Sequence, residues 1–166
     1  MPFAGLAKRE YAGAALRLAL GWTFLWAFLD KTLGLGYATS SENAWVNGGS
    51  PTSGFLAYAT AGPFSGFFQD FSGNTAVDVL FMLALLMLGV ALVLGIGMKI
   101  AAISGSALML LMWSSRLPPE NNPILDDHIV YLMALILLAL IGSGQWLGLG
   151  KWWLEQPWVK KFPILE

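Results

Sequence analysis

The sequence predicts an all-α integral membrane protein, a four-helix bundle with a long aromatic-rich outer loop between its first and second helices. Hydrophobic residues make up 57% of the 166 residues and charged residues only 11%, whereas soluble domains carry about 25% charged residues. The mean hydropathy of +0.65 agrees with this composition. A surface so poor in charge suits lipid rather than water. The length suits one transmembrane domain that covers residues 1–166.

The composition also excludes several classes of chemistry. The chain has no cysteine and one histidine, which excludes disulfides, cysteine-ligated iron–sulfur clusters and bis-histidine haem on this chain. Electron transfer would therefore need a bound cofactor, a quinone or a partner subunit. The net charge is -1 and no basic run exceeds Lys160-Lys161, so nucleic acid is not an expected partner. No cleavable signal is evident after Lys8 and Arg9.

The first predicted span covers about residues 11–31. It contains one arginine, and five of its residues recur at helical spacing and so share one face: Arg17, Gly21, Phe24, Phe28 and Lys31. We expect Arg17 to snorkel towards one membrane interface and Lys31 towards the other, because long cationic side chains extend to reach water.

The outer loop, residues 34–74, is polar in composition but unusually rich in rings. A flexible loop would not need so many, so we expect part of it to lie in the interface or to fold back over the helices. The rings between Phe55 and Phe71 either surround the head group of a quinone or simply bury the loop against lipid. The rings of the whole loop include Trp45, Phe55, Tyr58, Phe64, Phe67, Phe68 and Phe71.

Three further spans are predicted at about residues 75–96, 98–117 and 127–147. Thr75 followed by Asp78 resembles a capping box, so Asp78 is expected to cap the second span. The tail, residues 148–166, combines tryptophan with lysine and is expected to anchor at the interface.

Charge predicts the orientation of these spans. Seven lysines and arginines fall on the side of the termini and two on the opposite side, which places both termini in the cytoplasm under the positive-inside rule. The predicted location is the plasma membrane. The seven are Lys8, Arg9, Arg17, Lys99, Lys151, Lys160 and Lys161, and the two are Lys31 and Arg116.

Asp126, Asp127 and His128 open the last span and are the candidate catalytic residues. A histidine beside carboxylates exchanges protons near neutral pH, as quinone chemistry requires. The alternative is structural: Asp126 or Asp127 caps the helix, and His128 is an ordinary interfacial residue.

Four residues are candidates for substrate binding: Lys31, Arg116, Asp30 and Arg17. Lys31 and Arg116 are predicted at the same outer mouth, where they would hold an anion or a quinone carbonyl. Alternatively, Asp30-Lys31 is a hydrated helix end, and Arg17 is a positive-inside anchor rather than the partner of a carboxylate. No metal site is predicted.

Several short motifs resemble the DoxX/DoxD family of small four-helix membrane proteins over nearly the whole chain. They are Arg17 with Gly21-Trp22, Trp26, Asp30-Lys31-Thr32, Gly48-Gly-Ser-Pro51, and the stretch from Asn121 to His128. The resemblance implies a four-helix bundle in the plasma membrane. Its DoxD-like branch implies thiosulfate:quinone oxidoreductase activity together with a second subunit. Other DoxX members are accessory parts of membrane redox complexes.

We therefore expect a multi-pass subunit of a quinone-linked oxidoreductase, with thiosulfate oxidation as the activity implied by the resemblance and a quinone as cofactor. Its expected partners are the lipid bilayer and either a second redox subunit or further copies of the chain. The alternative is a non-catalytic membrane scaffold for a redox or stress-response complex. A weaker third hypothesis is a carrier of protons or small solutes.

Overall fold

The computed structural model describes residues 7–166, and within that range the protein is helical and contains no β-strand. The prediction of an all-α fold is confirmed. Seven α-helices follow one another: α1 (Lys8–Leu33), α2 (Ser65–Gln69), α3 (Thr75–Leu94), α4 (Met98–Ser114), α5 (Asp127–Leu140), α6 (Gly150–Glu155) and α7 (Pro157–Lys161). A π-helical turn, Phe55–Ala59, lies in the loop before α2.

Two helices, α1 and α3, are long and apolar enough to cross a membrane. The apolar helices α4 and α5 are shorter, with 17 and 14 residues, or about 26 and 21 Å at 1.5 Å per residue. α5 ends at Leu140 rather than near residue 147, because Gly142 turns the chain with a positive φ of 66°. α4 likewise ends at Ser114, before the predicted residue 117.

The long helices pack in pairs around one apolar core. α1 lies against α3, α4 lies against α5, and α3 also contacts α4. Glycines allow the first pair to approach closely: a Cβ atom at Gly21 would lie 2.9 Å from the Cβ of Leu92, and one at Gly89 would lie 2.8 Å from the Cβ of Leu25. Leu20, Phe24, Met82, Leu85, Leu88, Met109, Leu135 and Leu138 fill the core.

Large apolar side chains also cover the outward faces of the helices. Leu80 and Met87 on α3, Ile103 on α4, and Met133 and Leu140 on α5 are all exposed. Contiguous exposed apolar surface marks a face that contacts lipid or another protein. The helices thus have a packed side and an unpartnered apolar side.

Arg17 does not snorkel, and that prediction is wrong. Its side chain is fully buried and forms hydrogen bonds with distant parts of the same chain. The guanidinium donates to the carbonyls of Leu92 and Val93 at the end of α3, and to those of Trp146 and Leu147 after α5. Carbonyls at a helix end lack partners within the helix. Arg17 satisfies them from the neighbouring helix and joins three parts of the chain.

Candidate functional site

The candidate site lies at the end of the molecule where α1 finishes and α3 and α5 begin, which we call the loop end. The loop of residues 34–74 covers this end. Two buried carboxylates attach the loop to the helices, and they determine where its side chains lie.

Asp30 is the first of these carboxylates. It is 2% exposed, and its oxygens accept hydrogen bonds from the backbone amides of Tyr37 and Ala38, at 3.3 and 3.0 Å. The amide of Gly34 also donates to the Asp30 carbonyl at 2.8 Å. The carboxylate predicted to bind substrate therefore holds the turn that follows α1.

Asp78 is the second, and the prediction that it caps α3 is wrong. Asn74 is the cap, since its side-chain oxygen accepts from the amides of Ala76 and Val77. Asp78 lies one turn further on and is 5% exposed. One of its oxygens accepts from the Ser50 hydroxyl at 2.9 Å, and from the Thr52 hydroxyl and amide at 2.6 and 3.1 Å.

The loop held in this way encloses a cavity of about 370 Å³ against α3 and α4, which we call the aromatic cavity. Its walls are almost entirely apolar. In the loop, the ring of Phe67 meets those of Phe68 and Phe71 edge to face, with centroids 5.4 and 5.1 Å apart. The lining includes Phe55, Phe67, Phe68, Phe71, Phe81 and Met112.

Lys31 stands where the aromatic cavity meets a second, more polar cavity of about 580 Å³, which we call the vestibule. Lys31, Pro51 and Phe55 line both. The ammonium group of Lys31 is partly buried, yet no ion pair or hydrogen bond to it occurs within residues 7–166. A partly desolvated cation requires an acceptor. The nearby charge of Asp30 compensates that of Lys31 in part, and water or a bound molecule with a polar head would supply the hydrogen-bond acceptor.

Four predicted site residues, together with Glu120, line a separate polar pocket of about 260 Å³; the four are Arg116, Asp126, Asp127 and His128. Nδ1 of His128 lies 2.8 Å from a carboxylate oxygen of Asp126. Arg116 forms an ion pair with Glu120 at 2.8 Å. The pocket therefore brings together a histidine–carboxylate pair and an arginine that is already paired with Glu120.

Asp126 serves two purposes in this pocket. It caps α5 by accepting hydrogen bonds from the amides of His128 and Ile129, at 3.0 and 3.4 Å. The capping alternative is therefore confirmed for Asp126. Partial burial raises the pKa of this carboxyl, but the hydrogen bond and charge of His128, together with the amide hydrogen bonds, outweigh burial and lower the pKa below its ordinary value.

The predicted site residues thus divide into groups. Arg116 joins Asp126, Asp127 and His128 in the polar pocket, whereas Lys31 lines the aromatic cavity instead. Arg17 lies about 20 Å from Lys31 along α1, at 1.5 Å per residue. The aromatic cavity and the polar pocket are lined by consecutive residues, since Ser115 lines the aromatic cavity and Arg116 lines the polar pocket.

Sequence reasoning missed the part of the aromatic cavity that the helices contribute. Val77 and Phe81 come from α3, Leu108 and Met112 from α4, and Ser115 follows the end of α4. The signal was their spacing of three or four residues, which places them on one face of each helix. That spacing also occurs throughout the buried core, so it does not single out a cavity.

No family model, curated protein or solved structure matches this chain. Residues 7–166 also hold no group of three or more histidine, aspartate or glutamate side chains placed to bind a metal ion. The functional interpretation therefore depends on the geometry of the two loop-end sites.

Proposed function

We propose that this protein is a multi-pass plasma-membrane protein of the DoxX type that binds a quinone in the aromatic cavity, as a subunit of a quinone-linked oxidoreductase. The observation that carries the proposal is the position of Lys31. Its ammonium group is partly buried at the polar boundary of a cavity walled by aromatic rings, near the charge of Asp30 but with no ion pair or hydrogen bond within residues 7–166.

A quinone matches this arrangement in shape and in polarity. Its flat ring packs against the edges and faces of phenylalanine rings, and its carbonyl oxygens accept hydrogen bonds from an ammonium group. Negative charge develops on those oxygens as electrons arrive. A fixed cation in a poorly hydrated site favours that step. Lys31 would therefore both orient the ring and favour its reduction.

The membrane setting supports the same proposal. α1 and α3 have the length and polarity of spanning helices, and exposed apolar side chains continue along α4 and α5, among them Ile103 and Met133. We propose that all four helices cross the bilayer, with both termini cytoplasmic as the lysine and arginine bias indicates. A membrane-dissolved quinone would then reach the cavity from lipid.

Reduction of a quinone to a quinol consumes two electrons and two protons. The resemblance to the DoxD branch suggests thiosulfate as the electron donor and a second subunit as the partner. The His128–Asp126 pair in the neighbouring polar pocket is the group suited to exchange protons with water. In this proposal Lys31 binds the quinone, and His128 contributes only to turnover.

Binding is tested first, by calorimetric titration of a short-chain ubiquinone or menaquinone analogue into the purified protein. Lys31→Met keeps an apolar side chain but removes the ammonium group. It should raise the Kd about tenfold, since a hydrogen bond to a charged group contributes roughly 1.5 kcal/mol. Lys151→Met is the matched control, because Lys151 is exposed on α6 and lines none of the loop-end cavities. An unchanged Kd for Lys31→Met would contradict the proposal.

Turnover is tested with the complex purified from native membranes and supplied with thiosulfate and quinone. His128→Gln should lower the rate of quinone reduction and leave the Kd for quinone unchanged. Quinone binding without reduction, in the presence of every co-purifying subunit, would instead favour the non-catalytic scaffold.

A further inference from the structure

The opposite end of the molecule, which we call the tail end, holds a folded tail. The short 3₁₀ turn Pro163–Leu165 packs against α4 and against α7, and α6 packs against α7 and the turn Ser143–Gln145 that follows α5. The ammonium group of Lys99 contacts the Glu166 carboxylate at 2.6 Å, and the Lys99 amide donates to the Glu166 carbonyl at 2.8 Å. Val159 is fully buried. The tail is therefore fixed in place on the helices.

The outer side of this tail combines exposed aromatic rings with lysines. Trp152, Trp158 and Phe162 are 54%, 44% and 52% exposed, and the ammonium group of Lys161 lies 5.6 Å from the centre of the Phe162 ring. Exposed tryptophans beside lysines are typical of segments that lie at a membrane surface. Lys151, Lys160 and Lys161 are all exposed there, against one exposed acidic residue of α6, Glu155.

An apolar groove of about 390 Å³ runs from this tail along α4 and α5. Small side chains line it, namely Ala102 and Ser106 on α4 and Ala139 on α5. Its remaining lining includes the exposed Ile103 and Leu140. The Ser106 hydroxyl is buried and has no hydrogen-bond partner in residues 7–166. The groove is apolar and open along the outer side of α4 and α5, so an acyl chain from the surrounding lipid could lie in it.

Ile164 connects the groove to the lysines, since it lines the groove and follows Lys161 by three residues. Three residues of extended chain span at most about 11 Å. A head group at the tail lysines is thus within reach of a chain in the groove. Lys99 also lines the groove but is paired with Glu166, so the free positive charge comes from Lys151, Lys160 and Lys161.

We infer that this groove and the tail lysines together bind one anionic phospholipid, with its acyl chain between α4 and α5 and its phosphate beside Lys160 and Lys161. The inference rests on the proposed insertion in a membrane but not on quinone binding. Charge also favours a lipid over a second copy of the chain in the groove. A symmetric contact through α4 and α5 would bring two sets of tail lysines together, and like charges repel.

The test is native mass spectrometry of the full-length protein in detergent, incubated with equal amounts of phosphatidylglycerol and phosphatidylcholine of the same acyl chains. The wild type should retain one phosphatidylglycerol in clear preference to phosphatidylcholine. Lys160→Gln with Lys161→Gln should lower that preference about 25-fold, because each lysine near an anionic lipid contributes about fivefold.

Filling the groove tests the acyl-chain part of the site. Ser106→Leu should remove the bound lipid, whereas Ser104→Leu on the exposed face of the same helix should retain it. The double lysine variant and both leucine variants should bind the quinone analogue with unchanged Kd, so failure here is distinguishable from failure of the proposed function. Equal retention of both lipids by the wild type would overturn the inference. So would retention by Ser106→Leu, or a dimer that this substitution dissociates.

Discussion

The hydroxyl of Thr52 donates a 2.6 Å hydrogen bond to the carboxylate of Asp78, and the Thr52 amide donates to the same oxygen at 3.1 Å. Both residues are buried. This contact attaches a loop that starts after α1 to the first turns of α3, near the positive end of its dipole. Thr52 itself lines the aromatic cavity. The shape of the cavity therefore depends in part on Asp78, which does not itself line the cavity.

Asp78→Ala should detach this part of the loop. It leaves the hydroxyl and amide of Thr52 without an acceptor, and a buried unsatisfied polar group costs about 1–3 kcal/mol. We expect a lower unfolding temperature and faster proteolysis within residues 34–74, together with weaker quinone binding. Asp70→Ala is the control, because Asp70 is exposed on the same loop. Unchanged proteolysis in Asp78→Ala would show that the loop is held by other contacts.

Arg17→Met should destabilise the protein without changing its ligand affinity. The substitution leaves four carbonyl groups with no donor from Arg17, and hydrogen bonds to charged groups contribute about 1.5–3 kcal/mol each. We expect a loss of at least about 3 kcal/mol in the free energy of unfolding. Arg17→Lys should recover only part of it, because an ammonium group lacks the planar fork of guanidinium.

The matched control for Arg17 is Arg9→Met, since Arg9 is exposed on the first turn of the same helix. Quinone affinity of the folded Arg17→Met protein distinguishes a structural role from the substrate-binding role expected for Arg17. A changed Kd at full folding would support substrate binding. An unchanged Kd with lower stability would support a structural role, in which Arg17 joins three parts of the chain.

Arg17 also shows why the sequence predicted the helices better than the site. Hydropathy located every long helix, because apolar runs of that length are visible in any window of sequence. The partners of Arg17 are backbone carbonyls 75 to 130 positions away. Carbonyl groups are common to all residues, so no side-chain pattern marks them. The expectation that Arg17 snorkels was based only on the charge of its side chain.

The loop-end site was predictable in part for a similar reason. Asp126 and His128 are two residues apart, and a local pattern was enough to foresee a cap and a cluster. Lys31 and the loop phenylalanines were both selected, but their meeting in one cavity depends on Asp78 and Thr52, which are 26 positions apart. A contact between residues so far apart does not produce a periodic pattern in the sequence.

The lowered pKa of Asp126 predicts an acid-dependent contribution to stability. A carboxyl whose pKa is lower in the folded protein contributes stability above its unfolded pKa of about 3.8. That contribution is lost as the pH falls through the folded value, which lies lower still. Asp126→Asn keeps a good capping residue but removes the charge. Its unfolding temperature should lie below that of the wild type at pH 5, and the difference should shrink towards pH 3.

Asp127→Asn is the control for this pH dependence, because Asp127 is exposed on the same helical turn. It should shift the unfolding temperature much less at pH 5. If the difference in unfolding temperature between wild type and Asp126→Asn were the same at pH 3 as at pH 5, its cause would be the geometry of the amide side chain and not the loss of charge.

The number of helices that cross the membrane is testable with single cysteines, since the chain has none of its own. Ser40→Cys in the loop, Asn121→Cys before α5 and Lys160→Cys in α7 all place the thiol at an exposed position. With four spans and cytoplasmic termini, a membrane-impermeant maleimide should label residues 40 and 121 on intact cells. Residue 160 should react only after lysis.

Labelling at residue 121 distinguishes a protein with four membrane-spanning helices from one with two. If only α1 and α3 crossed the bilayer, the chain would return to the side of the tail after Leu94 and stay there. The cysteine at 121 would then react like the one at 160, after lysis alone, while the one at 40 would still react on intact cells. In that case the polar pocket with His128 could not share an outer face with Lys31, and the proposed division between quinone binding and proton exchange would fail.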